Sequence, residues 1–203
     1  MKQLNMEQGS EEWFKTRSGV ATASNFKKII TSNGAVSKTI NDYALTLAGE
    51  HLLETMEEGY TNEAMERGVD LENEAIQTYQ ERTLSKVDRL GFFLCDGYGY
   101  SPDGLIGENG LIEVKCPLFK NHTKWIIEKR VPVEYYAQVQ GGLYVSGREW
   151  CDFVSYNPNF KKENQIFIKR EYRDDIFINK LEIGIKKVIQ LKKPKQDLLK
   201  KVA

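Results

Sequence analysis

The sequence lacks the features that mark several large classes of protein. Its three cysteines, Cys95, Cys116 and Cys151, are too few and too far apart for a disulfide framework, a zinc site or an iron–sulfur centre. No apolar run approaches the roughly 18 residues that a membrane helix needs. The first residues contain no stretch typical of a signal peptide, so we expect a cytoplasmic protein whose thiols stay reduced.

The chain also has no net charge and only two histidines. The chain has 29 basic and 29 acidic residues, so its overall charge does not attract nucleic acid and any attraction must come from local distribution. The two histidines, His51 and His122, have no partners at metal-ligand spacing, and no phosphate-binding glycine-rich loop is present. Histidine-based nucleophile schemes and ATP-driven chemistry therefore find no support. We interpret the lysine-rich stretch from 186 to 201 as a solvated helix face.

What is present is ordinary globular composition, with 40% hydrophobic and 29% charged residues in 203. This length allows one sizeable core, and we predict a single domain over residues 1–203. Hydrophobic periodicity predicts helices before a central sheet, a helical crossover and two later strands, which together indicate an α/β fold with a mixed sheet. The later elements expected are a buried strand at 87–95, helices at 60–83 (beginning at Thr61), 119–129 and 132–145, strands at 150–156 and 165–172, and a last helix at 174–191 ended by Pro194.

The most informative stretch runs from residue 101 to residue 116. Asp103 lies in a turn signal, and a Gly/Asn-rich segment then precedes a β-type run, which predicts two short strands in a hairpin. Because side chains alternate along a strand, Glu113 and Lys115 share a face while Ile112 and Val114 point into the core. Folding the hairpin brings Asp103 beside Glu113, so two carboxylates and one ammonium meet.

This group of charges suits metal-assisted phosphodiester hydrolysis. Mg²⁺ prefers oxygen ligands, and it usually takes one or two carboxylates and leaves its other positions to water and phosphate. A nearby dication and partial burial can both lower the pKa of Lys115, which could then orient or deprotonate a water. Taken singly, an Asp before Gly is more often a turn former, and Glu-x-Lys on a strand is usually a solvated face.

Six ordered segments carry a resemblance to a known family. The spacing from Pro102-Asp103 to Glu113-Val114-Lys115 resembles the PD-(D/E)xK nuclease signature. The whole set resembles the phage lambda exonuclease and YqaJ-like viral recombinase family, over residues of about 8 to 172. The other five segments are Trp13-x-x-x-Arg17, the run 20–24, Glu66-x-Gly68 with Glu72, Cys116-Pro117, and Tyr135-x-Ala137-Gln138-Val139-Gln140.

The resemblance implies a restriction-endonuclease-like PD-(D/E)xK fold, with a central mixed β-sheet flanked by helices. It implies a Mg²⁺-dependent 5′-to-3′ exodeoxyribonuclease, in which Mn²⁺ can substitute, that acts on double-stranded DNA ends and leaves mononucleotides and a 3′ single-stranded overhang. Its members form homotrimer rings and cooperate with a single-strand annealing protein in phage recombination. A phage- or prophage-encoded protein is therefore expected.

The resemblance also selects residues around the hairpin. It adds the Val114 carbonyl to Asp103 and Glu113 as a metal ligand, and it adds Glu72 as a further acidic residue at the metal. From the residues alone, a helical glutamate usually faces solvent. On the helix at 132–145, Tyr135 and Gln138 share one face. The resemblance places both at the active site, whereas ordinary helix packing is the alternative.

Two residues near the N-terminus form a candidate phosphate site. A guanidinium beside a helix N-terminus that carries a hydroxyl favours anions. From the residues alone, Ser24 as a helix cap and Arg17 as a surface charge are the simpler interpretations. The resemblance assigns Arg17 and Ser24 to the 5′-terminal phosphate of the degraded strand.

Two other functions stay open. A structure-selective or restriction-like endonuclease could use the same fold. A DNA-end-binding module with a decayed site is the second alternative, although the presence of Asp103, Glu113 and Lys115 argues against it.

Overall fold

The computed structural model describes residues 1–56 and 63–202, and within these residues it has an α/β architecture. The helices are α1 (Glu11–Arg17), a 3₁₀ helix (Ala23–Lys28), α2 (Ile40–Leu53), α3 (Glu63–Thr83), α4 (Phe119–Glu128), α5 (Val133–Ser146) and α6 (Asp175–Val202). The strands are β1 (Lys2–Leu4), β2 (Ala21–Thr22), β3 (Val87–Asp88), β4 (Phe92–Leu94), β5 (Tyr98–Tyr100), β6 (Gly104–Ile106), β7 (Gly110–Lys115), β8 (Trp150–Tyr156) and β9 (Ile166–Tyr172).

A five-stranded mixed sheet positions the hairpin that carries Asp103, Glu113 and Lys115. Its strand order is β3-β6-β7-β8-β9, and the pair β7–β8 is parallel while the other pairs are antiparallel. A parallel pair needs a long crossover connection, which α4 and α5 supply here. The predicted α/β fold with a mixed sheet and flanking helices is confirmed.

Both faces of this sheet are buried. Leu111 packs with the core on the α5 side, whereas Ile112 and Val114 pack with the core on the α3 side. Glu113 lies on the same face as Leu111 and is 0% exposed. The expected alternation is present, but the face that carries Glu113 is as dry as the other, because helices cover both sides of a parallel strand pair.

The prediction of one buried strand over residues 87–95 is wrong. The structure has two short strands there, β3 in the five-stranded sheet and β4 in a second sheet with the order β1-β4-β5-β2. Gly91 lies between them and packs directly on the backbone of Met6, where a Cβ atom would come within 2.3 Å of the Met6 carbonyl oxygen. The chain therefore passes from one sheet to the other at this contact.

The later elements agree with the sequence, except at the C-terminus. The crossover helices and strands β8 and β9 lie within a residue or two of their predicted bounds. The last helix does not stop before Pro194 but continues to Val202. Pro194 and Gln190, whose carbonyl would accept the missing N–H, are exposed, so water can replace this bond. The predicted helix start at Thr61 lies outside the described residues.

The cysteines and helices agree with the expectations for a chain without disulfides or membrane spans. All three cysteines are free, and Cys116 and Cys151 are buried while Cys95 is half-buried. In the described part of the chain, every helix is too short or too polar to serve as a membrane span.

Candidate active site

The hairpin of β6 and β7 places Asp103 next to the second strand. Gly104 pairs with Ile112, so Asp103, one residue earlier, lies opposite Glu113. The backbone N–H of Val114 donates to Asp103 Oδ2 at 2.6 Å. This bond fixes the Asp103 carboxylate, while the Val114 side chain is buried on the α3 side.

Three side chains of the protein donate hydrogen bonds to the Glu113 carboxylate. Its Oε1 accepts hydrogen bonds from Lys115 Nζ at 2.5 Å and from Gln138 Nε2 at 2.5 Å. Its Oε2 accepts one from the Tyr100 hydroxyl at 3.2 Å. The structure therefore brings Glu113, Lys115 and Gln138 into direct contact. Tyr100 was not predicted from the sequence, where its one local signal is its position three residues before Asp103.

Tyr135 lies beside Lys115. Lys115 Nζ is 5.3 Å from the centroid of the Tyr135 ring. The ring packs in turn against Trp125 and Phe153, with centroid distances of 5.7 Å to each. Tyr135 and Gln138 thus reach the site from one face of α5, as their spacing predicts.

Glu72, on α3, is connected to the site by Arg89, which was not predicted from the sequence. Arg89 Nη1 donates to Glu72 Oε1 at 2.6 Å and to the Asp103 carbonyl oxygen at 2.7 Å. Arg89 Nη2 donates to Asn73 Oδ1 at 2.6 Å. The guanidinium therefore ties the helix to the turn that carries Asp103. Nothing local in the sequence marks Arg89, because its partners are on other elements.

The surroundings of Asp103 change the pKa of its carboxyl group. Burial, and then the negative charge of Glu113, raise the pKa of Asp103 well above its usual range, against the opposing effects of Lys115 and the Val114 N–H. Burial alone would lower the pKa of Lys115, but the charges of Glu113 and Asp103 outweigh it and the net pKa is raised. In the site without an ion, Lys115 is therefore firmly protonated, and burial by itself does not activate it.

The donor set fits a hard cation. The half-buried carboxylate of Asp103, in the turn before β6, the buried carboxylate of Glu113 on β7 and the carbonyl of Val114, the residue after Glu113, offer oxygen ligands, and a cation would offset the repulsion between the two carboxylates. No group of three or more His, Cys, Asp or Glu side chains is arranged to hold a metal within residues 1–56 and 63–202.

The two candidate phosphate ligands are placed differently. Arg17 is 9% exposed, stacks 3.8 Å above the Trp13 ring and donates from Nη1 to Ser101 Oγ at 2.8 Å. Its Nε has no hydrogen-bond partner among the described residues. Burial lowers the pKa of Arg17 to about 10, although Tyr43 and Glu50 oppose the shift. Because Ser101 is two residues before Asp103, Arg17 lies close to the hairpin of β6 and β7.

Ser24 is exposed in the 3₁₀ helix and makes no direct hydrogen bond to Arg17. Its hydroxyl lies 3.2 Å from Thr22 Oγ1, and the Thr22 N–H donates to the hydroxyl of Tyr43, which also interacts electrostatically with Arg17. Arg17 and Ser24 are therefore linked through Tyr43 and Thr22, but they form no hydrogen bond with each other. A ligand between them would have to bridge the gap.

A model of a known protein family matches most of the chain. The model of the YqaJ-like viral recombinase domain matches residues 12–149, which include every residue discussed above as a site candidate. The chain belongs to the YqaJ-like viral recombinase family. It is a nuclease of the phage exonuclease type.

Solved structures agree with this membership. An alkaline exonuclease from Laribacter hongkongensis, LHK-Exo, is 34% identical, with a TM-score of 0.86 over 95% of this chain and 98% of that one. Its complex with dAMP matches at a TM-score of 0.85, with the same identity and coverage. A phage-related exonuclease from Haemophilus somnus has the same fold, with 15% identity and a TM-score of 0.74 over 91% of this chain and 96% of that one. Among curated proteins, none matches.

Proposed function

We propose that this family member is a Mg²⁺-dependent deoxyribonuclease that degrades one strand of duplex DNA from its 5′ end. The products would be mononucleotides and a 3′ single-stranded overhang, and Mn²⁺ would substitute for Mg²⁺. The observation that carries the proposal is the direct contact between Glu113 and Lys115, with Asp103 fixed beside them by the Val114 N–H. The complex of LHK-Exo with dAMP, a deoxynucleoside monophosphate, supports a mononucleotide product.

Each residue has a role that follows from its contacts. The carboxylates of Asp103 and Glu113, with the Val114 carbonyl, would hold the ion, and Glu72 would add negative charge on its α3 side. When bound, one or two ions supply positive charge that stabilises the scissile phosphate in an in-line displacement. Gln138 holds Glu113 in place, and the Tyr135 ring limits where the Lys115 ammonium can move.

Lys115 would act on the attacking water. As an ammonium it donates hydrogen bonds, which orients the water oxygen toward phosphorus. To accept a proton from the water, Lys115 would first have to release its own proton to solvent. A cation bound to the two carboxylates would favour this release, because it would cancel the attraction that raises the pKa of Lys115. The lysine thus changes role when the carboxylates are neutralised.

The polarity rests on Arg17 and Ser24. The buried guanidinium of Arg17 donates to Ser101, which lies two residues before Asp103 in the sequence. Its Nε has no hydrogen-bond partner among the described residues. A terminal 5′ phosphate would satisfy this donor and would place the first phosphodiester bond toward the carboxylates, with Ser24 as a second donor from the 3₁₀ helix. Preference for a 5′-phosphorylated end follows from this arrangement.

The proposed biological role is homologous recombination by strand annealing in a phage or prophage. Its proposed partners are double-stranded DNA ends, two further copies of the chain in a homotrimer ring, and a single-strand annealing protein. Family membership supports these assignments. A ring would also explain how a chain with no net charge stays on DNA, because enclosure replaces electrostatic retention.

The deciding experiment is digestion of linear duplexes labelled at the 5′ or the 3′ end, with and without a 5′ phosphate, in Mg²⁺. We expect early release of the 5′ label and slower degradation when the phosphate is missing. Earlier loss of the 3′ label would overturn the polarity and the roles of Arg17 and Ser24. Covalently closed circular DNA should survive, and its cleavage would instead support the endonuclease alternative.

A further inference from the structure

An exposed aromatic and basic surface adjoins the catalytic strand, and the mechanism above does not use it. Phe119 is 71% exposed and Leu118 is 61% exposed, although both follow directly after the catalytic strand β7. The surface, here called the Phe119 patch, consists of Leu118, Phe119, Lys120, Phe160, Lys161 and Lys162. Large apolar side chains this exposed, beside unpaired lysines, indicate a binding surface.

The Phe119 patch lies at the edge of the sheet that carries the catalytic lysine. Strands β7 and β8 run parallel, and Lys115 pairs with Ser155 near the carboxyl end of both. The segments that follow are tied together, because Asn157 Nδ2 donates to the Pro117 carbonyl at 3.0 Å. Phe119 comes four positions after Lys115, so their Cα atoms are at most about 14 Å apart.

The aromatic rings of this surface are held in a fixed arrangement. The Phe119 and Phe160 rings stack with centroids 6.1 Å apart and an angle of 26° between their planes. The His122 ring contacts Phe160 edge-on at 4.7 Å, and His122 is itself fixed by Ser155 Oγ at 2.7 Å and by the Asn164 carbonyl at 2.9 Å. Phe119 therefore presents a ring to solvent on a rigid base.

The charge of the patch is mainly positive. Lys120, Lys161 and Lys162 are exposed, and none of them forms an ion pair within the described residues, while Glu163 is the adjacent acid. Aromatic faces interleaved with lysines are the features by which proteins bind single-stranded nucleic acid, since every base can stack and every phosphate can meet an ammonium.

We propose that the Phe119 patch binds single-stranded DNA, namely the undegraded strand as it leaves the active site. This inference rests on the proposed function, because removal of one strand leaves the other unpaired beside Lys115. A base would stack on the exposed ring of Phe119, and the three lysines would contact the phosphates that follow. The patch thereby keeps the growing 3′ overhang away from the carboxylates.

The test measures binding of fluorescent oligothymidylate by anisotropy, in EDTA so that no hydrolysis occurs. Phe119→Ala should weaken binding by about five- to 160-fold, the range expected for loss of one stacked base. The matched control is Ile127→Ala on the same helix, where the side chain is 72% exposed and should not affect binding. Phe119→Trp should retain the parent affinity, because it keeps an aromatic face.

The lysines are tested through salt dependence. The double variant Lys161→Gln/Lys162→Gln should flatten the slope of log affinity against log salt by about 0.7 for each lysine, as for phosphate contacts on a single strand. The control pair Lys200→Gln/Lys201→Gln, on the last turn of α6, removes the same charge elsewhere and should leave the slope unchanged.

Several outcomes would overturn the inference, and each differs from a failure of the proposed nuclease. If Phe119→Ala binds oligothymidylate as the parent does, the patch does not bind single-stranded DNA, and a docking site for another protein becomes the better interpretation. If it loses affinity equally for blunt duplex, the patch is not a site for single strands in particular, and the inference is also overturned. Digestion of linear duplex in Mg²⁺ tests the nuclease separately. If the parent protein degrades duplex DNA but Phe119→Ala binds oligothymidylate normally, the proposed nuclease function is supported and the proposed role of the Phe119 patch is rejected.

Discussion

The Tyr100 hydroxyl donates a hydrogen bond to Glu113 Oε2 at 3.2 Å, so both oxygens of the central carboxylate have donors from the protein. Tyr100 is 2% exposed, and burial together with the Glu113 charge raises its pKa well above its usual range, which keeps the hydroxyl protonated. Gly142 on α5 makes room for the ring, since a Cβ atom there would lie 2.8 Å from Tyr100 Cζ. Tyr100 is thus a positioning residue for Glu113.

Removal of this hydroxyl should weaken metal binding. In Tyr100→Phe, Glu113 loses the donor that fixes Oε2, and we expect the Mn²⁺ concentration for half-maximal activity to rise by about tenfold or more, as for other supporting contacts at metal sites. Calorimetric titration with Mn²⁺ in the absence of DNA checks the same shift without catalysis. Tyr79→Phe is the matched control, because it removes a buried hydroxyl that donates to Asp152 at 2.6 Å, away from the site.

The Gly142→Ala substitution tests the same contact from the other side. The added methyl group should displace the Tyr100 ring and weaken Mn²⁺ binding in the parent, but it should have much less effect on metal affinity in the Tyr100→Phe background. Equal effects in both backgrounds, or an unchanged metal affinity in Tyr100→Phe, would show that the hydroxyl does not position Glu113.

The central part of this site could be predicted from sequence because its geometry is local. Asp103, Glu113 and Lys115 belong to one hairpin, and alternation along β7 determines which side chains meet. Tyr135 and Gln138 could be placed on a common face for the same reason, since helical spacing is also local. The roles assigned to these five residues remain predictions.

The supporting residues could not be predicted, because their partners lie on other elements. Arg89 joins α3 to the turn before β6, and Tyr100 reaches Glu113 from the other sheet. No periodicity in a strand or helix encodes such contacts. The division of residues 87–95 between two sheets was missed for the same reason, since it depends on the packing of Gly91 against Met6.

Substitution of Lys115 should separate binding from hydrolysis. Lys115→Ala removes the group that orients the water and leaves both carboxylates in place, so we expect the rate of duplex degradation to fall by about 100-fold or more. Binding to 5′-phosphorylated ends, measured by gel shift in Ca²⁺, should be retained. Lys124→Ala, which removes an exposed lysine of α4, serves as the control and should degrade DNA at the parent rate. A fully active Lys115→Ala enzyme would remove this lysine from the mechanism.

Loss of Arg89 should act on Glu72 and Asp103 together. The Arg89→Met variant keeps an unbranched side chain but breaks the bonds to the Glu72 carboxylate and the Asp103 carbonyl, so we expect about a tenfold loss of activity that higher Mn²⁺ concentrations partly restore. Arg130→Met is the control, because Arg130 is exposed and its one ion pair among the described residues is with Glu128 at 3.4 Å. A loss of activity that Mn²⁺ does not restore at all would indicate that Arg89 contacts DNA instead of supporting the metal site.

The start of α6 should depend on the charge of Asp174. Asp174 Oδ1 accepts from the Phe177 N–H at 3.0 Å and Oδ2 accepts from the Tyr136 hydroxyl at 2.9 Å, and the bond from the Phe177 N–H is the main reason that the pKa of Asp174 is lowered. We expect Asp174→Ala to reduce the free energy of unfolding at pH 7 by about 1 kcal/mol, a typical value for loss of a helix cap. Urea unfolding measures this difference.

The pH dependence of this effect follows from the direction of the shift. A carboxylate whose pKa is lower in the folded state binds its proton more readily when unfolded, so its stabilisation is present above the unfolded pKa and is lost as pH falls through the folded one. The difference between the parent and Asp174→Ala should therefore be full at pH 7 and shrink in the acid range. Asp175→Ala removes a neighbouring charge that has only an exposed contact with Arg173 at 3.5 Å, and should change stability little at either pH. A difference for Asp174→Ala that stays constant down to acid pH would show that the carboxylate charge does not carry the cap.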